Sequence, residues 1–220
     1  MVDGGYEESM IKILVVVDMQ YDFIDGVLGS PEAVEIVPRV KEKIDNFEIV
    51  DSDLDKYLDP NELESSKIFY TADQHDPQDA MDNHHVEMKM IPEHCIRYTH
   101  GSGIEESISD SLRSKGAKLV LKNKFGTSLV ADLIRAIYAD QLDRRNDIYN
   151  EAIYVNRERL EIEICGLCTD ICVLSNAIIL RSIFPEATIR VNANLTAGST
   201  PEAKEAALKI MENNLIIIDR

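Results

Sequence analysis

The stretch ICGLCTDIC, residues 164–172, places three of the chain's four cysteines within eight positions of one another. Three kinds of chemistry use thiols that close. Cys165 and Cys168 form a C-x-x-C, the spacing of a redox pair; bunched thiolates hold metals or clusters; a single thiol at a helix start serves as a nucleophile. Thr169 or Asp170 is placed to cap a helix through ICVLSNAIILRSIF, which puts Cys172 in the first turn. There, unpaired N–H groups and the helix dipole lower a thiol pKa and would receive charge developing on a carbonyl oxygen. A cluster would want a further thiolate, and only the distant Cys95 remains.

The five histidines form a second concentration, at His75, His84, His85, His94 and His100. Asp73 and His75 make a D-x-H pair, and Glu87 and His94 follow in HHVEMKMIPEHC. Two imidazoles and two carboxylates suit zinc, manganese or iron better than magnesium or calcium. The alternative is a polar loop with incidental histidines. His84, His85 and His100 read as surface or supporting residues.

The elements that must position these groups are short β-branched runs alternating with segments of helical spacing. Strands are predicted at 12–18, 67–73, 118–123, 161–166, 188–193 and 214–219, and helices at about 32–47, 127–145, 170–183 and 200–213. Continuous apolar strands alternating with helices give a parallel sheet covered on both faces, a three-layer α/β/α domain with six mainly parallel strands. The final helix opens with STPE, which offers a Ser or Thr cap, a proline in the first turn and a glutamate at capping-box distance. In such sheets ligands bind beyond the carboxyl ends of the strands. The first strand ends in Asp18, the second in Asp73 followed by His75, the third in Lys122, and the fourth runs into GLCTDIC. Singly, the aspartate reads as a loop cap, the lysine as a solvated strand end and the cysteine as a small buried hydrophobe. Together they face one crevice, and a nucleophilic Cys172 uses more of them than a redox pair does.

Composition narrows the functional classes. At 220 residues, 45% hydrophobic and 29% charged, the chain is sized for one folded domain over 1–220, with the polar stretches 51–65 and 143–160 as surface elaborations. The longest apolar runs, ILVVV and LIIID, are too short to span a membrane. MVDGGYEESM lacks the pattern of a secretory signal, and a cytoplasmic address is expected. A formal net charge of −17 argues against nucleic-acid and membrane-surface partners.

The set VVVDMQYDF, TADQH, IPEHC, KNKFGTS and CGLCTDICV resembles the isochorismatase-like cysteine hydrolases, and within them the nicotinamidase branch. The resemblance spans nearly the whole chain, in the family's motif order. It implies an Asp–Lys–Cys triad at Asp18, Lys122 and Cys172, and metal ligands at Asp73, His75 and His94 with Glu87 as a fourth. It also implies a cis peptide between Leu167 and Cys168, and an oxyanion hole from the N–H groups of Cys168 and Cys172. Phe23, Ile91 and Phe125 fall at substrate-binding positions, Ile91 standing where many nicotinamidases carry an aromatic. The implied reaction converts nicotinamide and water to nicotinate and ammonia through a cysteine thioester, with a divalent metal, zinc foremost, orienting the substrate. The implied partner is a small-molecule amide, and a homo-oligomer is expected. The alternatives are a metal-independent hydrolase of the same superfamily acting on another small amide, carbamate or ureido compound, a thiol redox protein, and a non-catalytic metal-binding scaffold.

Overall fold

The computed structural model describes residues 11–50, 65–78, 86–144 and 160–220. The stretches 51–64 and 145–159, which hold most of the expected elaborations, and His84 and His85 lie outside the described residues. The element order is β1 (Ile11–Val17), α1 (Tyr21–Ile24), α2 (Pro31–Asn46), β2 (Ser65–Asp73), α3 (Val86–Met90), α4 (Glu106–Ser114), β3 (Lys118–Lys122), α5 (Leu129–Arg144), β4 (Leu160–Leu167), α6 (Leu174–Ile183), β5 (Thr188–Ala197), α7 (Pro201–Asn213) and β6 (Ile217–Asp219). A π-helical turn, Thr169–Val173, stands between β4 and α6.

The six strands pair in the order β3-β2-β1-β4-β5-β6, and every pairing is parallel. Strand order reverses at β1, which sits between β2 and β4, so the ligand crevice is expected over the C-terminal ends of β1 and β4. Alternation along β1 explains the two covered faces. Ile11, Ile13, Val15 and Val17 point into a core shared with α5, α6 and α7, while Leu14 and Val16 point into one shared with α1, α2 and α4. Each such side chain, fully buried, contributes about 1.5–3 kcal/mol.

The helix ends follow from local chemistry. Ser30 accepts a hydrogen bond from Ala33 N at 3.1 Å and Pro31 opens α2, whose Ala33, Ile36, Val40 and Ile44 form the buried stripe. In α7 the cap is Thr200, which accepts from Ala203 N at 3.1 Å. With Thr200 as cap, Glu202 falls one position short of a capping box, and Ser199 is engaged elsewhere. Helix α4 lies where no helix was expected: only Ile108 and Leu112 give it an apolar stripe, and its cap is a glutamate, Glu105, which accepts from Ile108 N at 3.0 Å.

Two departures in the sheet shape the crevice. Strand β5 bulges between Val191 and Thr196 opposite Ile164 and Gly166, and so runs to Ala197, past its expected end. Gly166 has φ +110°, and a Cβ there would lie 2.0 Å from the Val17 carbonyl oxygen. Only glycine lets β4 approach β1 that closely at the reversal point.

Candidate active site

Asp18 is the first residue beyond β1 and takes φ +47°, a left-handed conformation that aspartate tolerates better than most residues. Its N–H reaches the Thr71 carbonyl oxygen at 3.2 Å, and Thr71 Oγ1 donates to its Oδ1 at 2.6 Å. Its Oδ2 lies 2.6 Å from Lys122 Nζ, which in turn lies 3.6 Å from Cys172 Sγ. All three side chains are buried. The structure therefore brings Asp18 beyond β1, Lys122 at the end of β3 and Cys172 in the turn that follows β4 into one contact group.

The electrostatics follow from this burial. Burial pushes the Asp18 carboxyl above its ordinary value, with Lys122 opposing and Asp73 adding to the rise. Burial likewise opposes a charge on Lys122, but Asp18, Cys172 and Asp73 outweigh it and hold the ammonium protonated well above its usual range. Burial and then the Asp18 carboxylate push the Cys172 thiol well up, with Lys122 counteracting. The expectation of a thiol acidified by a helix start is thus corrected. Cys172 sits within the π-helical turn ahead of α6, where burial first and the neighbouring Asp18 carboxylate second raise the thiol. Neither Thr169 nor Asp170 caps that turn. The cap position is Cys168, whose carbonyl oxygen takes the Val173 N–H at 3.0 Å and the Ile171 N–H at 3.1 Å. Asp170 instead accepts from Ser199, N–H at 2.9 Å and Oγ at 2.5 Å.

The Leu167–Cys168 peptide is cis. Cys168 lies at the cavity surface, whereas Cys165 is fully buried in the core under α2, and both are unbridged thiols. Burial raises both, Cys168 to about 12 and Cys165 higher still. A redox pair needs an accessible, acidic thiol, and neither of these is one.

Beside the triad, one ligand atom from each of Asp73, His75, Glu87 and His94 falls within 4.8 Å of every other. His75 Nε2 and His94 Nε2 lie 3.1 and 3.4 Å from Asp73 Oδ2, and 3.8 and 3.4 Å from Glu87 Oε1. Ligand bonds of about 2.0–2.1 Å arranged tetrahedrally put neighbouring donors about 3.3 Å apart, so the donor set fits a zinc-sized ion. Its field fits too. Burial opposes charge on His94, yet hydrogen bonds to Asp73 and Glu87 raise it to about 10. Burial would raise Asp73, but His75, His94 and Lys122 together hold it far below the usual carboxylate range. Positive charge is favoured at this point, whether as a proton or as a divalent cation.

The two groups meet at a cavity of about 320 Å³. Phe23, Ile91 and Phe125 line it, together with Glu87, His94, Cys168 and Cys172. Phe23 also tilts against His94, ring centroids 5.4 Å apart. His100 lies apart from these groups, stacked on Tyr21 at 4.1 Å.

Sequence reasoning gave no role to Thr71 or Gln20. Gln20, fully buried, donates through Nε2 to the Asp73 and Ser102 carbonyl oxygens, both at 2.8 Å, and accepts from Asp73 N at 2.7 Å. It thereby fixes the backbone of Asp73. Its position inside VVVDMQYDF was the one signal available.

The family model for the isochorismatase domain matches residues 12–219. The nicotinamidase of Saccharomyces cerevisiae is 22% identical over 224 residues, covering 96% of this chain and all of that protein. The crystal structure of a nicotinamidase/pyrazinamidase from Bacillus subtilis superposes with a TM-score of 0.67 at 22% identity, covering 96% of this chain and all of the other. That of the pyrazinamidase of Pyrococcus horikoshii in complex with zinc gives 0.63 at 23% identity, covering 95% and 98%.

Proposed function

The chain belongs to the isochorismatase domain family, and from that premise we propose that it is an amidohydrolase converting nicotinamide to nicotinate and ammonia, one hydrolase domain acting on a small neutral amide. The observation that carries this reading is the buried Asp18–Lys122–Cys172 contact group, whose Cys172 lines a largely apolar cavity that Glu87 and His94 of the four convergent metal donors also line. The nicotinamidase and pyrazinamidase relatives support the substrate class. Isochorismate itself carries two carboxylates, and among the described lining residues there is no lysine or arginine to receive them.

Asp73, His75, Glu87 and His94 would hold a divalent ion, zinc foremost. When bound, it supplies a Lewis acid for the pyridine nitrogen. The apolar walls, Phe23, Ile91 and Phe125, would hold the ring with its carboxamide over Cys172, and much of the acceleration comes from this positioning. Asp18 is a stronger base than an ordinary carboxylate because burial raises it. It takes the thiol proton as sulfur attacks the carbonyl carbon. Lys122 offsets the cost of a second negative charge beside Asp18. The N–H groups of Cys168 and Cys172 would receive the oxyanion, and Asp18 passes its proton to the leaving ammonia. Water then cleaves the thioester: its proton returns through Asp18 to Cys172, and nicotinate leaves.

The test is ammonia release from nicotinamide by the purified, metal-loaded protein, with Cys172→Ala beside it. Turnover that disappears in the variant supports both substrate and nucleophile. A folded, metal-loaded protein without turnover overturns the substrate.

A further inference from the structure

We propose that Asn176 is a positioning residue for this reaction, tying the loop that carries Phe125 to the turn that carries Cys172. The inference rests on the hydrolase reading above and adds the device that keeps the cavity wall aligned with the nucleophile.

Asn176 lies in the first turn of α6 and is 1% exposed. Its neighbours Val173, Ala177 and Leu180 belong to the apolar core, so packing alone would favour an aliphatic side chain there. A buried amide is costly unless it is hydrogen-bonded, and this one is. Nδ2 donates to the Cys172 carbonyl oxygen at 2.8 Å and to the Phe125 carbonyl oxygen at 3.3 Å, while Oδ1 accepts from Thr127 N at 3.1 Å. Both amide hydrogens and the amide oxygen are thus engaged, with one bond on the nucleophile's own backbone and two on the loop.

The loop is independently pressed against the same helix. A Cβ on Gly126 would lie 2.7 Å from Ile179 Cδ1 and 3.0 Å from Ser175 Cβ. Upstream, the Lys122 carbonyl oxygen takes the Gln74 N–H at 2.8 Å. Downstream, Thr127 Oγ1 takes the N–H of Leu129, the first residue of α5, at 3.2 Å. The segment from Lys122 to Leu129 therefore carries the triad ammonium at one end and the Phe125 wall in its middle. Asn176 is the side chain that sets it against Cys172.

A merely structural role makes a different prediction. Cys172 is four residues before Asn176, and a threonine or serine hydroxyl in a helix also bonds the carbonyl four residues back. Asn176→Thr keeps that helix bond and removes both loop bonds. The experiment measures KM and kcat on nicotinamide, and the iodoacetamide alkylation rate of Cys172 at fixed pH, for the metal-loaded wild type and Asn176→Thr. Asn176→Ser, with less bulk, repeats the test should threonine prevent folding. The expected result is a folded protein whose KM rises about tenfold with kcat changed less than threefold, and whose Cys172 alkylation rate changes more than threefold. A variant with a lowered Tm but both KM and alkylation rate within threefold of wild type overturns the proposal. Alkylation reads the thiol's surroundings without substrate. A wild type inactive on nicotinamide, together with a Cys172 alkylation rate in Asn176→Thr that differs more than threefold from it, would sink the substrate reading and support the positioning role.

Discussion

Lys122 Nζ stands 3.6 Å from Cys172 Sγ while paired at 2.6 Å with Asp18 Oδ2, so one ammonium bridges the proposed base and the proposed nucleophile. Its removal leaves a buried carboxylate beside a buried thiol with no compensating charge. Lys122→Met should abolish turnover and cost about 3–5 kcal/mol in chemical denaturation, the usual penalty for breaking a buried pair. Adding Asp18→Asn should recover most of the stability and none of the activity. A double variant as unstable as Lys122→Met would contradict the pairing.

The cysteines should separate cleanly. Cys172→Ala should lower kcat by about 10³-fold or more, as loss of a covalent nucleophile does. Cys165→Ala empties a little core volume and should cost about 1 kcal/mol of stability, with kcat within about twofold of wild type. Steady-state kinetics with a denaturation midpoint for each variant decides this.

Thiol reactivity should depend on pH in a definite direction. Burial first and Asp18 second raise the Cys172 thiol well above its ordinary value, so the resting thiol is protonated at neutral pH. Its alkylation by iodoacetamide should be slow at pH 7 and still be climbing at pH 9. Asp18→Asn removes the carboxylate's opposition to a thiolate, so it should alkylate faster at pH 7 while losing amide turnover. Slower alkylation in Asp18→Asn would count against this electrostatic account.

Chelation of the metal-loaded protein should suppress turnover at low nicotinamide, and zinc should restore it. Asp73→Ala and His94→Ala should each raise KM strongly. An undiminished rate at low nicotinamide after verified metal removal would remove the ion from substrate binding.

The sheet was legible because strands buried on both faces read as apolar, β-branched-rich runs, and KILVVVD is such a run, while EIEICG carries its β-branched Ile162 and Ile164 at strand spacing. The start of α7 was legible in Thr-Pro, where cap and first turn are adjacent in sequence; the matching Ser30–Pro31 start of α2 emerged only in the structure. Helix α4 was not, because its apolar stripe is only Ile108 and Leu112. Asp18, Lys122 and Cys172 could be singled out from their places at strand ends. The residues that hold the site in place could not. Gln20 and Thr71 act on partners 53 positions away, and Asn176 on Phe125 at 51, so no local spacing betrays them. The π-helical turn was missed for a related reason: its backbone bond from Val173 to Cys168 leaves no mark on side-chain periodicity.

The parallel order β3-β2-β1-β4 has one more consequence. The proposed base, ammonium and thiol come from positions 18, 122 and 172, so no short stretch of chain contains two of them. A nascent or partly unravelled chain thus carries an ordinary aspartate, an ordinary lysine and ordinary cysteines. Amide turnover becomes a census of molecules whose central strands have all docked, and its loss in rising denaturant should coincide with loss of the whole sheet.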